Sequence, residues 1–197
     1  MAKLYFKYGA MGSSKSAQAL MTKFNYEEKN RKVWLIKPSV DTRDGYDTVY
    51  SRIGLSAKAQ VIFPDDNIYE MFVDGESREA DVVISDESQF FTEEHIDQLR
   101  RIVDDCDIPV RCFGLRTDFL THMFPGSRRL FEVADSITEI KTICECGRKA
   151  TVNARIDSNG HVVTSGSQVF LGGNDSYEAM CHRCWKRRIE RESAEKE

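Results

Sequence analysis

Residues Gly9-Ala10-Met11-Gly12-Ser13-Ser14-Lys15-Ser16 follow directly on the apolar-rich run Leu4-Tyr5-Phe6. A strand, a glycine-bearing turn and a Lys-Ser pair opening a helix make the layout of a phosphate-binding loop. The chemistry explains the residue types. Backbone N–H groups and the helix N-terminus wrap a polyphosphate, Lys15 neutralises its outer phosphates, and the Ser16 hydroxyl reaches Mg²⁺. The motif G-x-x-x-x-G-K-[ST] calls for glycine where this chain has Ser14, and a Cβ there strains the loop if the backbone needs positive φ. An ordinary Gly/Ser turn capping a helix gives a similar string, so the rest of the chain decides.

Past the loop, residues 17–29 hold good helix formers, with Ala17, Leu20, Met21 and Phe24 at helical spacing. Val33-Trp34-Leu35-Ile36, Val61-Ile62-Phe63 and Val82-Val83-Ile84 read as apolar strands, and 109–114 and 134–140 as two further strands. Between them, Pro64-Asp65-Asp66-Asn67 starts a helix holding Ile68, Met71 and Phe72. Thr92-Glu93-Glu94-His95 starts another, with an N-cap residue and an acidic first turn that suits the helix dipole. Residues 41–58, polar and with two glycines, read as a mobile loop. Strands alternating with helices imply a parallel sheet covered on both faces. That pattern stops near residue 140.

With 197 residues, 41% of them hydrophobic, the chain has room for one full core and a small appendage. Twenty-eight basic against 32 acidic residues give a net charge of −4, which argues against a large nonspecific nucleic-acid footprint. The start, Met1-Ala2-Lys3-Leu4, enters a strand without the apolar run of a signal peptide, and nothing approaches the roughly 18 apolar residues that span a bilayer. Six cysteines without a secretion signal read as metal ligands or reduced thiols. The expectation is a cytoplasmic α/β protein that engages no membrane.

Cys144-x-Cys146 and Cys181-x-x-Cys184 are separated by 34 residues. Two close pairs of thiols are what a tetrahedral structural Zn²⁺ takes from two turns. The usual interval is about 15–20 residues with C-x₂-C at both ends, so this is a variant with a tight first knuckle, where Gly147 suits the turn. His182 reads as a bystander, and Cys106 and Cys112 as inert thiols. Asp86-Glu87 closes an apolar strand. There the first carboxylate organises Mg²⁺ and the second takes a proton from a nucleophilic hydroxyl; a solvated turn ends strands with the same pair. Asp41-Thr42-Arg43 follows another strand, where an arginine binds phosphate oxygens bidentately or simply makes a surface ion pair. Phe90, Phe91, Phe119, Phe124 and Tyr177 suit a core or a pocket, and Lys186-Arg187-Arg188 suits a basic helix end.

In this order the pieces resemble the type II thymidine kinases, the cellular and bacterial class with a zinc-bearing lasso domain. The matching elements are the loop ending Lys15-Ser16, Lys37-Pro38 with Asp41-Thr42-Arg43, and Asp86-Glu87-Ser88-Gln89-Phe90-Phe91. Further on come Gly114-Leu115-Arg116-Thr117-Asp118-Phe119, the cysteine pairs, and Gly172-Gly173-Asn174-Asp175-Ser176-Tyr177. The resemblance implies an α/β, RecA-like P-loop domain with a parallel sheet over 1–140. A small zinc-ribbon-type domain with a lasso loop follows over 141–185, then a charged, fraying tail over 186–197. It implies thymidine kinase activity with ATP and Mg²⁺, feedback inhibition by dTTP and a homotetramer. Glu87 becomes the general base for the nucleoside 5′-hydroxyl. Gly9, Ala10, Met11, Gly12, Ser13, Ser14, Lys15 and Ser16, with Asp41, Arg43, Asp86 and Gln89, become the ATP and Mg²⁺ site. Met11, Phe90, Leu115, Phe119 and Phe124 line the thymine pocket. Gln168, Val169, Phe170, Leu171 and Gly172 close over the base, and Tyr177 anchors the sugar. Cys144, Cys146, Cys181 and Cys184 hold the zinc.

The family usually has glycine where Ser14 and Ser88 stand here. Two rival readings belong to other classes. A zinc-ribbon-bearing P-loop ATPase that binds nucleic acid takes its cue from the basic run 183–188, and a zinc-stabilised binder without catalysis takes its cue from Ser14.

Overall fold

The computed structural model describes residues 1–42, 45–169 and 176–194. From the N-terminus, β1 (Leu4–Tyr8) leads through the glycine-bearing turn into α1 (Lys15–Glu27), then β2 (Val33–Pro38). A two-stranded ribbon follows, β3 (Thr48–Tyr50) and β4 (Ser56–Lys58), then β5 (Gln60–Ile62), α2 (Ile68–Asp74) and β6 (Val82–Ser85). The chain continues through α3 (Glu93–Cys106), β7 (Val110–Gly114), α4 (Pro125–Val133) and β8 (Ser136–Glu139). It ends with β9 (Val152–Arg155), β10 (Tyr177–Met180) and α5 (His182–Ala194).

Six strands pair in the order β5-β2-β6-β7-β1-β8, every pair parallel. All their C-terminal ends therefore lie along one edge, the edge at which open α/β sheets bind ligands. The two-residue period of the strands sorts side chains to two cores. Trp34, Ile36, Val83 and Cys112 join Ile68 and Phe72 of α2, Ile96, Leu99, Ile102 and Val103 of α3, and Leu130 of α4. Leu35, Val82, Ile84 and Phe113 face the other way, onto Ala19 and Leu20 of α1 and Val49 of β3. Helix starts follow the sequence cues: the Thr92 side chain accepts from His95 N at 3.1 Å, and that of Asn67 accepts from Glu70 N at 3.1 Å. No helix among the described residues is long and apolar enough to cross a membrane.

Four expectations are corrected. The segment read as a mobile loop, 41–58, contains the β3–β4 ribbon, in which Val49 is buried in the second core. It is held from below by Lys37, only 1% exposed, whose Nζ donates to Thr48 O at 2.9 Å and Gly45 O at 3.3 Å and lies 3.2 Å from an Asp41 carboxylate oxygen. A buried ammonium is stable only when its donors are satisfied, and the satisfied ammonium here fixes the loop. Met21 and Phe24 are exposed, because α1 packs through Ala17, Ala19 and Leu20. Lys186-Arg187-Arg188 lies within α5, not at its end. Of the segment expected to fray as a tail, residues 186–194 are helical and docked: Glu192, 6% exposed, accepts from Val162 N at 2.8 Å and Arg188 Nε at 3.1 Å.

Glu192→Ala strands the Val162 N–H in a buried position, so it is expected to lower unfolding stability by about 1–3 kcal/mol. Urea denaturation of the variant against the parent chain measures it; an unchanged midpoint would show that α5 frays after all.

Candidate active site and metal centre

The turn after β1 is shaped by crowding. A Cβ on Gly9 would collide with the Ile140 carbonyl and the Ser13 hydroxyl, so only glycine fits. Gly12 takes φ +73° and Ser14, immediately before α1, takes φ 62° and ψ 29°. Ser14 thus occupies the left-handed region that the motif's glycine normally supplies, at a cost of roughly 1–2 kcal/mol for an L-residue. Its side chain makes no cap hydrogen bond to the helix, which leaves capping of the first-turn amides to other groups, the ready-made condition for an anion. Lys15 is 8% exposed and its Nζ donates to Ala10 O at 2.9 Å and Ser13 Oγ at 3.4 Å, folded back over the turn.

Asp86 and Glu87 leave β6 two strands away, with β7 between. Asp86 is 4% exposed, and its Oδ1 is buried without a hydrogen-bond partner among the described residues. Burial, then the negative charge of Glu87, pushes its carboxyl up to about 7, while the Ser16 hydroxyl, a Glu87 backbone hydrogen bond and the Lys15 charge act against the rise. An unpartnered buried carboxylate oxygen beside a hydroxyl is a donor set for a hard cation, and it fits Mg²⁺. Glu87 has φ 50° and ψ 35°, a second left-handed non-glycine residue. One of its oxygens accepts from Gln89 Nε2, and Gln89 Oε1 accepts from Leu115 N at 2.9 Å. Ser88 is fully buried, its hydroxyl 2.7 Å from that of Ser85, so the serine in place of the family glycine knits the turn to β6.

Met11, Gly12, Ser14, Lys15, Ser16, Glu87 and Leu115 line one cleft of about 170 Å³, closed on a further side by Tyr50, Ser51, Arg52 and Ile53 of the ribbon. Other expected residues lie apart from that lining. Asp41 is buried against Lys37. Phe90 and Phe124 meet edge to face at 5.5 Å. Phe119, 1% exposed, carries the Arg155 guanidinium 3.8 Å above its ring; Arg155 Nε donates to Tyr177 Oη at 3.0 Å. Gln168 Nε2 donates to Asp118 Oδ2 at 2.9 Å, and Val169 is exposed. Arg43, Phe170, Leu171 and Gly172 lie outside the described residues.

The sequence reading missed Asn153 and Arg155 on β9. Asn153, 3% exposed, accepts from Met11 N at 2.7 Å and donates to Thr117 O at 2.8 Å. Their signal was present: two polar residues alternating with Val152 and Ala154 in a short strand, with both faces buried. The ribbon residues that close the cleft had no such signal.

The four paired cysteines converge, with ligand atoms all within 4.8 Å of one another and the Cys146 and Cys181 sulfurs 3.7 Å apart. Tetrahedral zinc with Zn–S near 2.3 Å requires sulfurs about 3.8 Å apart, so the thiols fit the metal. Gly147 takes φ +80° and closes the first knuckle by donating to Cys144 O at 2.8 Å. In the second, the Cys184 N–H points at Cys181 Sγ at 3.5 Å and is the main cause holding that thiol down, to about 7. All four candidate ligands are thiols, the donor set of structural and not of catalytic zinc sites. His182 stands outside it, edge to face with Trp185 at 5.3 Å. Cys112 is fully buried and its thiol pushed up to about 12 by burial, as suits an inert thiol.

Two outcomes follow from this geometry. Ser14→Gly removes a left-handed Cβ and is expected to be neutral to about 1 kcal/mol more stable, with ATP use unchanged or improved. Thermal melting with kcat/KM for ATP checks it, and a severe activity loss would reveal a role for the Ser14 hydroxyl. The purified protein is expected to carry about one zinc per chain. Cys181→Ser is expected to lower thermal stability and thymidine affinity together while ATP binding persists in part; zinc-free protein, or full thymidine affinity in the variant, contradicts this.

The family model for thymidine kinase matches residues 2–185. The thymidine kinase of Legionella pneumophila (strain Lens) is 47% identical over 189 residues, 95% of this chain and 90% of that protein. That of Ruegeria pomeroyi is 43% identical over 188 residues, 94% of each chain, and that of Shewanella oneidensis 45% identical over 184 residues, 93% and 96%. Among solved structures, the Legionella pneumophila ATPase DotB is similar over 75% of this chain and 43% of its own at 19% identity and TM-score 0.38, too slight a likeness to argue from. With the family model spanning both the phosphate loop and the cysteine pairs, the chain belongs to the thymidine kinase family.

Proposed function

We propose that this chain transfers the γ-phosphoryl group of ATP to the 5′-hydroxyl of thymidine, and of deoxyuridine, releasing ADP and the nucleoside 5′-monophosphate. The observation that carries the reading is one cleft lined by Glu87 together with Lys15 and Ser16. Such a transfer needs positioning and charge neutralisation more than covalent chemistry. The Glu87 carboxylate accepts the 5′-hydroxyl proton as that oxygen bonds to the γ-phosphorus, and the bond from phosphorus to the β–γ bridging oxygen breaks. Lys15 and the loop amides hold the phosphates. Ser16 and Asp86 would hold Mg²⁺, which when bound neutralises phosphate charge. Met11 and Leu115 wall the cleft, and Phe90, Phe119 and Phe124 supply the apolar side of the base pocket.

Gln168, Val169 and the segment through Gly172 cover the base, with Tyr177 at the sugar. The family resemblance supports a cytoplasmic homotetramer inhibited by dTTP. The nucleic-acid reading is disfavoured by the basic run itself. Arg188 pairs with Glu178 at 2.7 Å and Glu192 at 3.1 Å, and Lys186 lies 3.7 Å from Glu190, so two of the four cations in 183–188 have carboxylate partners.

A nucleoside panel with ATP and Mg²⁺, read as monophosphate formed, tests the assignment; failure with both thymidine and deoxyuridine would overturn it. Glu87→Gln is expected to leave thymidine and ATP binding largely intact and to lower kcat by a factor on the order of 10² to 10⁴. Near-normal kcat would mean that Glu87 is not the base.

A further inference from the structure

Gln89 is 1% exposed, in the 3₁₀ turn Ser88–Phe90 that follows Glu87. A buried primary amide has to satisfy both ends, and this one does so with two partners of fixed character. The Leu115 backbone N–H can only donate, so the amide oxygen faces it at 2.9 Å. The amide nitrogen then faces the other way and donates to Glu87 Oε2. Nothing about that orientation is interchangeable.

The surroundings leave the amide no other place. A Cβ on Gly114, the last residue of β7, would stand 2.7 Å from Gln89 Oε1 and 3.1 Å from its backbone N. A Cβ on Gly126, in the first turn of α4, would stand 2.7 Å from Ser88 O and 3.1 Å from Gln89 O. The turn is boxed by two backbones that approach as closely as glycine permits. Glu87 itself sits at φ 50°, a conformation that persists for a non-glycine residue only where the surroundings over-determine it. Leu115, at the other end of the amide, lines the same cleft as Glu87. The amide therefore ties the proposed base to the wall of the pocket where the base must act.

We propose that Gln89 is a positioning residue that acts through Glu87, fixing one carboxylate oxygen and with it the aim of the carboxylate toward the nucleoside hydroxyl, rather than a contact for ATP or Mg²⁺. This rests on the reading of Glu87 as the base. Misplacing a reacting group by about 1 Å costs on the order of 10²-fold, so a residue of this kind shows its effect in kcat and not in binding.

A double-mutant cycle on the full-length chain tests it, using Gln89→Met, Glu87→Gln and the combination, with kcat measured by a radiometric thymidine phosphorylation assay. Gln89→Met alone is expected to lower kcat by about tenfold or more, with KM for ATP and the thymidine dissociation constant changed less than about threefold. In the Glu87→Gln background the same change is expected to cost no more than about twofold, because the group it serves is already gone. Losses that multiply in the double variant, or a main effect on KM for ATP in either background, overturn the proposal. Gln89→Glu, which keeps the acceptor for Leu115 N–H and nearly the same size, replaces Gln89→Met if thermal melting shows that Gln89→Met does not fold. Wild-type chain that fails to phosphorylate thymidine overturns the functional reading instead, which separates the two failures.

Discussion

A carboxylate buried at the end of β6, with one oxygen that has no hydrogen-bond partner among the described residues, is the constraint around which the cleft is built. Asp86 is 4% exposed, and a second carboxylate follows it directly in the chain. Two adjacent acids at a buried strand end destabilise each other, and protonation of one relieves the strain only by removing the charge that the chemistry needs. The structure answers with the parts that surround them. Ser16 reaches Asp86 from the first turn of α1 and Lys15 adds a positive charge, though the net effect still leaves Asp86 raised to about 7. The remaining demand is for a cation. Sheet order makes the arrangement possible: β1 and β6 flank β7, and because all three are parallel, their C-terminal ends come out on one edge.

The cleft is lined by two left-handed non-glycine residues, Ser14 and Glu87, at φ 62° and 50°. Each costs on the order of 1–3 kcal/mol and persists only if its neighbours leave no alternative. For Ser14 the neighbours are the crowded turn under Gly9 and the start of α1. For Glu87 they are the buried serine pair Ser85–Ser88 and the Gln89 amide wedged against Gly114. The glycines that the phosphate-loop pattern leads one to look for are thus partly displaced in this chain. Gly9, Gly114 and Gly126 serve close backbone approach, while positive φ is shared between Gly12 and the side-chain-bearing residues Ser14 and Glu87. Both strained residues line the cleft, where strain maintained by a rigid scaffold preorganises groups instead of merely destabilising the fold.

Much of this was legible in the sequence because it depends on local pattern. The inner strands β2 and β6 appear as apolar runs, since a parallel strand buried on both faces leaves no polar alternation to obscure it. The metal centre is legible because two thiol pairs have few other uses. What escaped was set by tertiary contact. Helical spacing identifies α1 yet cannot tell which stripe faces the sheet, so Met21 and Phe24 were grouped with Ala17 and Leu20 although they are exposed. The β3–β4 ribbon escaped because its strands are only three residues each and are held by a buried Lys37 that reaches Thr48 and Gly45 through their backbone carbonyls, which carry no sequence signature. In the cleft, Lys15 and Glu87 are readable from their motifs, whereas the linking role of two amides is not: Gln89 joins Glu87 to Leu115, and Asn153 joins Met11 to Thr117. An amide's role is defined by what lies opposite it.

Asn153 also changes how the second lobe relates to the first. It stands on β9, beside the small core of Cys144, Ala150, Ala154, Met180 and Cys181 that the thiol cluster organises. From there its side chain accepts from the backbone N–H of Met11 in the phosphate loop and donates to Thr117 O in the loop after β7. Two residues along, Arg155 stacks on Phe119 of that same loop and donates to Tyr177. Four thiols gathered beside β9 would couple the binding of a metal to the placement of that strand. Through two side chains on one strand, that coupling would reach both the glycine-bearing turn after β1 and the loop after β7 that carries Phe119. The thiol cluster would then do more than close its own knuckles, because β9 beside it sets Met11 and Phe119, on two different loops, against one backbone.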